Sequence, residues 1–164
     1  MVLTLILKGV SYQKFTKELA EQNISYKTIK TKPTPLNTIL WTANVDTKDS
    51  FYIGNSSFFD DQPIHFSEYP KNHYLLGDLA KHPKTKRMIA ISKGWYTINK
   101  KNNNLYFNDL RFGVLSIQPY ATNFVFKYKI EVAANGTPFF IEEPKEKSDG
   151  KKLLLDLWER IKGN

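Results

Sequence analysis

Cysteine is absent and histidine is scarce, and both absences limit the chemistry that this chain can perform. With no cysteine and three histidines in 164 residues, disulfides, zinc–thiolate sites and a cysteine nucleophile are excluded. No apolar run approaches the roughly 20 residues that a membrane helix needs. The opening stretch MVLTLILKGV lacks the basic start and the small-residue cleavage site of a signal peptide. We therefore expect a soluble domain and leave its redox compartment open.

Catalytic motifs are missing as well. The sequence contains no G-x-S-x-G nucleophile elbow, no phosphate-binding loop and no G-x-G-x-x-G fingerprint. His65, His73 and His82 lie near several aspartates, but their spacing is wider than the three or four residues that place two ligands on one helix face. These histidines are only a weak alternative for a metal site, so we assign no catalytic residue, and whether the chain is an enzyme stays open.

Basic residues outnumber acidic ones. The 24 Lys+Arg against 16 Asp+Glu give a formal net charge of +8, which allows an anionic partner such as a lipid headgroup or nucleic acid. The lysines are scattered, however, and arginine–aromatic clusters that would read nucleic acid are lacking. A solvated lysine surface is the favoured interpretation. Binding of anionic lipid is the alternative, and nucleic acid is disfavoured.

The hydrophobic pattern predicts an α+β fold in a single domain, with a mainly antiparallel sheet flanked by helices. Val2 to Leu7 reads as a strand, and Ser11 then reads as the N-cap of a helix. Later segments read as two hairpins, the first around the polar turn KKNNN and the second around Asn135-Gly136.

The domain is expected to span residues 1–164, with two special segments. Pro33 and Pro35 predict a stiff connector over 31–36, because each proline fixes its own φ and extends the residue before it. A polar stretch over 144–150 predicts a linker to a C-terminal amphipathic helix over 151–162.

The stretch NDLRFG, residues 108–113, holds the first two candidate binding residues. Asp109 and Arg111 are two apart, so an extended backbone places both side chains on one face. The favoured interpretation is a partly buried ion pair that fixes the strand end. In the alternative, Arg111 reaches an anionic headgroup or substrate while Asp109 orients it. We expect Phe112 to enter the core and Gly113 to adopt a positive φ.

Asn37 and Trp41 are the other two candidates. Asn37 follows two prolines and is favoured as a side chain that caps a turn, with a polar contact to substrate as the alternative. Trp41 is favoured as core packing over a ligand platform.

Three segments carry sequence motifs and follow one another along the chain: KPTPLNTILW (32–41), SKGWY (92–96) and NDLRFG (108–113). Through P-T-P-x-N-x-x-x-W, S-x-G-x-Y and D-L-R, the chain resembles the C-terminal soluble portion of the membrane-bound metal-dependent hydrolases, a family of bacterial and archaeal inner-membrane proteins. The resemblance covers roughly residues 1–130 and leaves out the last helix.

The resemblance implies that this chain is a fragment whose parent begins with several membrane helices. Those helices would carry the divalent metal site and would be the chain's main partner, so this part would hold no cofactor of its own. The expected function is an accessory one, in substrate positioning, regulation or assembly. A binding module for an anionic partner is the alternative function. The basic balance favours the cytoplasmic face of the membrane over the periplasmic face.

Overall fold

The computed structural model describes residues 2–35, 37–144 and 150–163, and their contacts divide the chain into two units. The first unit comprises Met1–Tyr69, Ile117–Tyr120 and Ser148–Asn164, and the second comprises Pro70–Ser116 and Ala121–Lys147. The predicted α+β class is confirmed, with two four-stranded antiparallel sheets. The expectation of a single domain over 1–164 stays a prediction.

The first sheet follows chain order. Helix α1 precedes it and helix α3 comes from the end of the chain. The elements are α1 (Val2–Glu21), β1 (Thr28–Pro33), β2 (Leu40–Asp46), β3 (Ser50–Ser57), β4 (Phe66–Pro70) and α3 (Gly150–Ile161), with strand order β1-β2-β3-β4.

The second sheet is built in the same way, with its helical segments placed before it. A 3-10 segment (His73–Lys81) is interrupted at Gly77, and α2 (Pro83–Ile91) follows it. The strands are β5 (Tyr96–Lys101), β6 (Asn104–Val114), β7 (Phe124–Val132) and β8 (Pro138–Glu142), in the order β5-β6-β7-β8. Both predicted hairpins are confirmed, as β5–β6 and β7–β8.

The core of the first unit lies between α1 and the sheet. Phe15 and Leu19, four residues apart on one helix face, pack against Trp41 and its neighbours on β2. Close packing also explains Gly54 on β3, because a Cβ there would lie 2.7 Å from ring atoms of Phe66. The buried residues of this cluster are Phe15, Leu19, Trp41, Ala43, Val45, Ile64 and Phe66.

The core of the second unit lies on the sheet face covered by the helical segments. Ile98 pairs with Phe107, which pairs in turn with Tyr128, so these side chains share one face. The rings of Tyr96 and Phe107 stack with centroids 4.7 Å apart. Leu76 from the 3-10 segment closes this cluster.

The predicted opening strand is wrong, because Val2–Leu7 forms the first turns of α1. Leu7, Ser11, Phe15 and Leu19 recur every four residues and share one helix face that packs on the sheet. Ser11 is consequently a buried residue inside the helix and does not cap it. Tertiary packing has overridden the β-like local pattern.

The predicted connector over 31–36 is also partly wrong. Thr31, Lys32 and Pro33 belong to β1, where Pro33 stands opposite Trp41. A proline is tolerated there because β1 is an edge strand of this sheet. Residue 36 lies outside the described residues, as do residues 145–149 of the predicted linker. The predicted C-terminal helix is confirmed at Gly150–Ile161.

Candidate functional site

Asp109 and Arg111 form a close ion pair on β6. The Arg111 Nη2 lies 2.6 Å from Asp109 Oδ2, and Nε donates to both carboxylate oxygens at 3.0 Å. The Arg111 backbone N–H also donates to Asp109 Oδ1, at 2.9 Å. The Asp109 residue is 4% exposed, whereas the Arg111 side chain is 26% exposed. One carboxylate therefore binds both the side chain and the backbone of the same residue.

A break in the sheet register produces this geometry. Asp109 pairs with Phe126, but the next paired residue on β6 is Val114, so the residues between them form an irregular segment. Gly113 has a φ of 76°, as expected. The expectation for Phe112 is wrong, since it is 51% exposed and its ring meets that of Phe126 edge-on. A bulge shifts the in–out alternation of a strand, and this shift moves Phe112 out of the core.

The electrostatics of the pair favour a structural role. The hydrogen bonds to Asp109 raise the pKa of Arg111 further above its usual value, against the opposing effect of burial. Arg111 is thus charged at every pH at which the protein is studied. Its Nε and Nη2 atoms are already directed at Asp109, so a ligand anion would have to compete with an internal carboxylate.

Asn37 and Trp41 lie in the first unit, at the turn between β1 and β2. Asn37 Oδ1 accepts from the backbone N–H groups of Ile39 and Leu40, at 3.0 and 2.7 Å. Its Nδ2 donates to Thr34 Oγ1 at 2.6 Å. Trp41 is 1% exposed, and its Nε1 donates to the carbonyl of Thr38. The Asn37 side chain therefore caps this turn, and the Trp41 side chain packs in the core of the first unit.

The three histidines have separate local partners. His65 meets the ring of Tyr120 edge-on. His73 stacks on Tyr96 with centroids 3.9 Å apart, and His82 Nδ1 accepts from the Lys84 N–H at the start of α2. Within residues 2–35, 37–144 and 150–163, no group of three or more potential ligands could hold a metal ion.

A second buried ion pair joins Asp60 and Arg160, and no local spacing in the sequence predicts it. Arg160 of α3 donates to both Asp60 carboxylate oxygens, at 2.6 and 2.7 Å, and to the carbonyl of Asn55 at 3.0 Å. The side chains are 2% exposed for Asp60 and 17% for Arg160. Burial alone would raise the pKa of Asp60, but the hydrogen bonds from Arg160 and from the Ser57 N–H outweigh it and lower that pKa.

The N-terminal half of α1 exposes a large apolar surface. Leu5 and Ile6 are 64% and 57% exposed, and Val10 is also about half exposed. The following turns of the same helix bury Phe15 and Leu19 completely. One helix therefore has an anchored half and an apolar half that the described residues leave uncovered. The signal for this surface lies in the apolar stretch MVLTLILKGV, within which the sequence pattern predicts a strand over Val2 to Leu7.

Comparison with known proteins gives no match. No protein-family model, no curated protein and no solved structure is significantly similar to this chain. Among the helices in the described part of the chain, none combines the length and the apolar character needed to cross a membrane.

Proposed function

We propose that this chain is an accessory domain of a membrane-bound metal-dependent hydrolase and acts in substrate positioning, regulation or assembly. The proposal starts from the ordered motifs at 32–41, 92–96 and 108–113. Its support from the structure is the exposed apolar surface of Leu5, Ile6 and Val10 on α1. An apolar helix end of this kind suits attachment to the apolar helices of a larger protein.

The motif residues have scaffold roles in this proposal. Asn37 fixes the β1–β2 turn, Trp41 fills the first core, and Asp109 holds Arg111 beside the bulge of β6. Each of these side chains makes its contacts with neighbours in its own unit. Such a role fits a domain that serves as a structural scaffold for a parent enzyme. Because the histidines do not assemble a ligand set, we assign the metal chemistry to the parent's other part and derive no catalytic step here. The net charge of +8 favours the cytoplasmic face.

The native protein tests this parentage. An antibody raised against this chain should detect a species larger than 19.1 kDa in the membrane fraction of the source cells. That species should resist alkaline carbonate and high salt and should dissolve only in detergent. A 19.1 kDa species that salt alone releases would overturn the proposal.

Metal content gives a second, independent readout. The detergent-purified parent should hold a divalent metal in a fixed ratio to protein, whereas the isolated chain should retain none after dialysis. Elemental analysis of both samples measures this. Metal retained by the isolated chain and lost in His65→Ala or His73→Ala would contradict the accessory assignment.

A further inference from the structure

Helix α3 presents an apolar face that the described residues of the chain leave exposed. Leu154, Leu155 and Trp158 are 58%, 53% and 59% exposed. Positions 154 and 155 lie four and three residues before Trp158, so the three side chains are neighbours on one side of the helix. Lys151 and Lys152, both exposed, occupy the first turn of the same helix. The face combines leucine, tryptophan and lysine.

The C-terminal end of α3 is bound to the segment after β3. These contacts set the orientation of the apolar face of α3 within the first unit. Arg160 is bound to Asp60, and the carbonyl of Ile161 accepts from Ser57 Oγ at 2.6 Å. Gly163 packs directly on the backbone of Phe59, whose side chain is 61% exposed. A further aromatic side chain therefore stands at the anchored end of the helix.

We propose that Phe59, Leu154, Leu155 and Trp158, flanked by Lys151 and Lys152, form a docking surface for an anionic lipid bilayer interface. Helices that lie in a bilayer interface combine leucine and aromatic residues, which enter the acyl boundary, with lysines that meet anionic headgroups. Tryptophan in particular favours the headgroup level. The excess of positive charge, +8 over the chain, complements such a surface.

The size of the face argues for lipid over a second copy of the chain. Phe59 and Trp158 have full areas of about 150–250 Å² each. Together with two smaller leucines, all a little over half exposed, they offer on the order of 400–500 Å². A stable protein–protein interface buries about 800 Å² on each partner. A bilayer interface requires no such minimum, since a few inserted side chains and nearby lysines are sufficient for reversible binding. All of these residues belong to the first unit, and lipid binding by them does not depend on the proposed parent enzyme.

Tryptophan fluorescence gives a direct readout of the face. Trp41 and Trp95 are 1% and 7% exposed, whereas Trp158 is 59% exposed, so a change in environment on binding reports Trp158. With the isolated chain and vesicles of phosphatidylserine and phosphatidylcholine, we expect a blue shift and co-flotation. Both should weaken steeply as salt rises from about 0.1 M to 1 M, because screening shortens the Debye length to about 3 Å. Pure phosphatidylcholine vesicles should bind at least tenfold more weakly.

Matched variants locate the surface. Leu155→Glu should abolish flotation, whereas Tyr74→Glu, which alters a 78% exposed aromatic residue in the second unit, should leave it unchanged. Lys151→Glu with Lys152→Glu should weaken binding at least tenfold, since each lysine near the surface contributes measurably. The control variant, Lys100→Glu with Lys101→Glu, makes the same change in net charge at the exposed end of β5. It should lower the affinity for vesicles much less.

Several results would overturn the inference. They are no association with anionic vesicles, equal binding to neutral vesicles, or equal loss in the variants and their controls. A concentration-dependent dimer that Leu155→Glu dissociates, with no vesicle binding, would assign the face to a second copy. Thermal melts of each variant show whether it is folded, and Leu154→Glu replaces Leu155→Glu if the latter is not.

Discussion

In each unit a buried carboxylate is paired with an arginine, and these two pairs differ in the length of chain that they join. Asp109 and Arg111 are two residues apart on one strand of the second unit. Asp60 and Arg160 are 100 residues apart and connect the turn after β3 to the last helix of the first unit. The short pair stabilises a local bulge, whereas the long pair determines where a whole helix is attached. Removing one partner of the pair should therefore lower the free energy of unfolding by different amounts in the two units.

Removing Asp60 should have the largest effect. Asp60→Ala leaves the Arg160 guanidinium, whose side chain is 17% exposed, without its carboxylate, and breaking a buried pair in this way costs about 3–5 kcal/mol. Urea denaturation of the wild type and the variant measures the loss. Asp61→Ala, at the exposed neighbouring aspartate, is the control and should change the free energy of unfolding by less than about 0.5 kcal/mol. Similar values for the two variants would contradict a stabilising role for the pair.

Removing Asp109 should have a smaller effect, because the Arg111 side chain is 26% exposed and can regain water. We expect Asp109→Ala and Arg111→Ala each to lower the free energy of unfolding by about 1–2 kcal/mol, more than an exposed ion pair contributes. The double mutant should recover part of the summed loss, since no lone charge remains. Thermal and urea melts of the four proteins complete the cycle. Strictly additive changes near zero would refute the structural interpretation of this pair.

Acid should weaken the long pair. The pKa of Asp60 is lower in the folded protein than its usual value, so its contribution to stability is fully present above the unfolded pKa of about 4. That contribution is lost as pH falls through the lower, folded pKa. The free energy of unfolding of the wild type should therefore drop more between about pH 5 and pH 2 than that of Asp60→Asn. Identical slopes, or a steeper slope for Asp60→Asn than for Asp61→Asn, would count against this assignment.

The smallest change in stability is expected at two glycines, one with a positive φ and one inside a helix. Gly113 has a φ of 76° beside the short pair, so Gly113→Ala should cost about 1 kcal/mol although space is available for a Cβ. Gly9 lies inside α1 with no atom near its Cβ position, so Gly9→Ala should stabilise by about 0.5–1 kcal/mol. Melts of both variants compare them directly, and a stabilising Gly113→Ala would show that the bulge is not held in this conformation.

The contrast between the pairs also shows which parts of the fold a sequence can reveal. The Asp109–Arg111 pair, the two hairpins and the Asn37 cap depend on residues within a few positions of one another, so their spacing predicts them. The partner of Asp60 depends on where the chain brings α3, which no local pattern contains. The prediction of a strand at the start of α1 was wrong for a related reason, because the helical face there is defined by packing on β2. The prediction that Phe112 enters the core was wrong because a bulge that begins at Asp109 changes the in–out alternation of side chains along β6.

The attachment of α3 also sets an order of events during synthesis. The second unit lies wholly between Asp60 and Arg160 in the chain, and its sheet pairs strands that follow one another in sequence, so its contacts are local ones that form quickly. A ribosome therefore releases everything that the second unit needs before it releases Arg160. Until translation reaches the final helix, the Asp60 carboxylate has no guanidinium to bind, and the first unit stays incomplete. A chain that ends before residue 150 would contain every residue of the second unit but would lack the helix that completes the first.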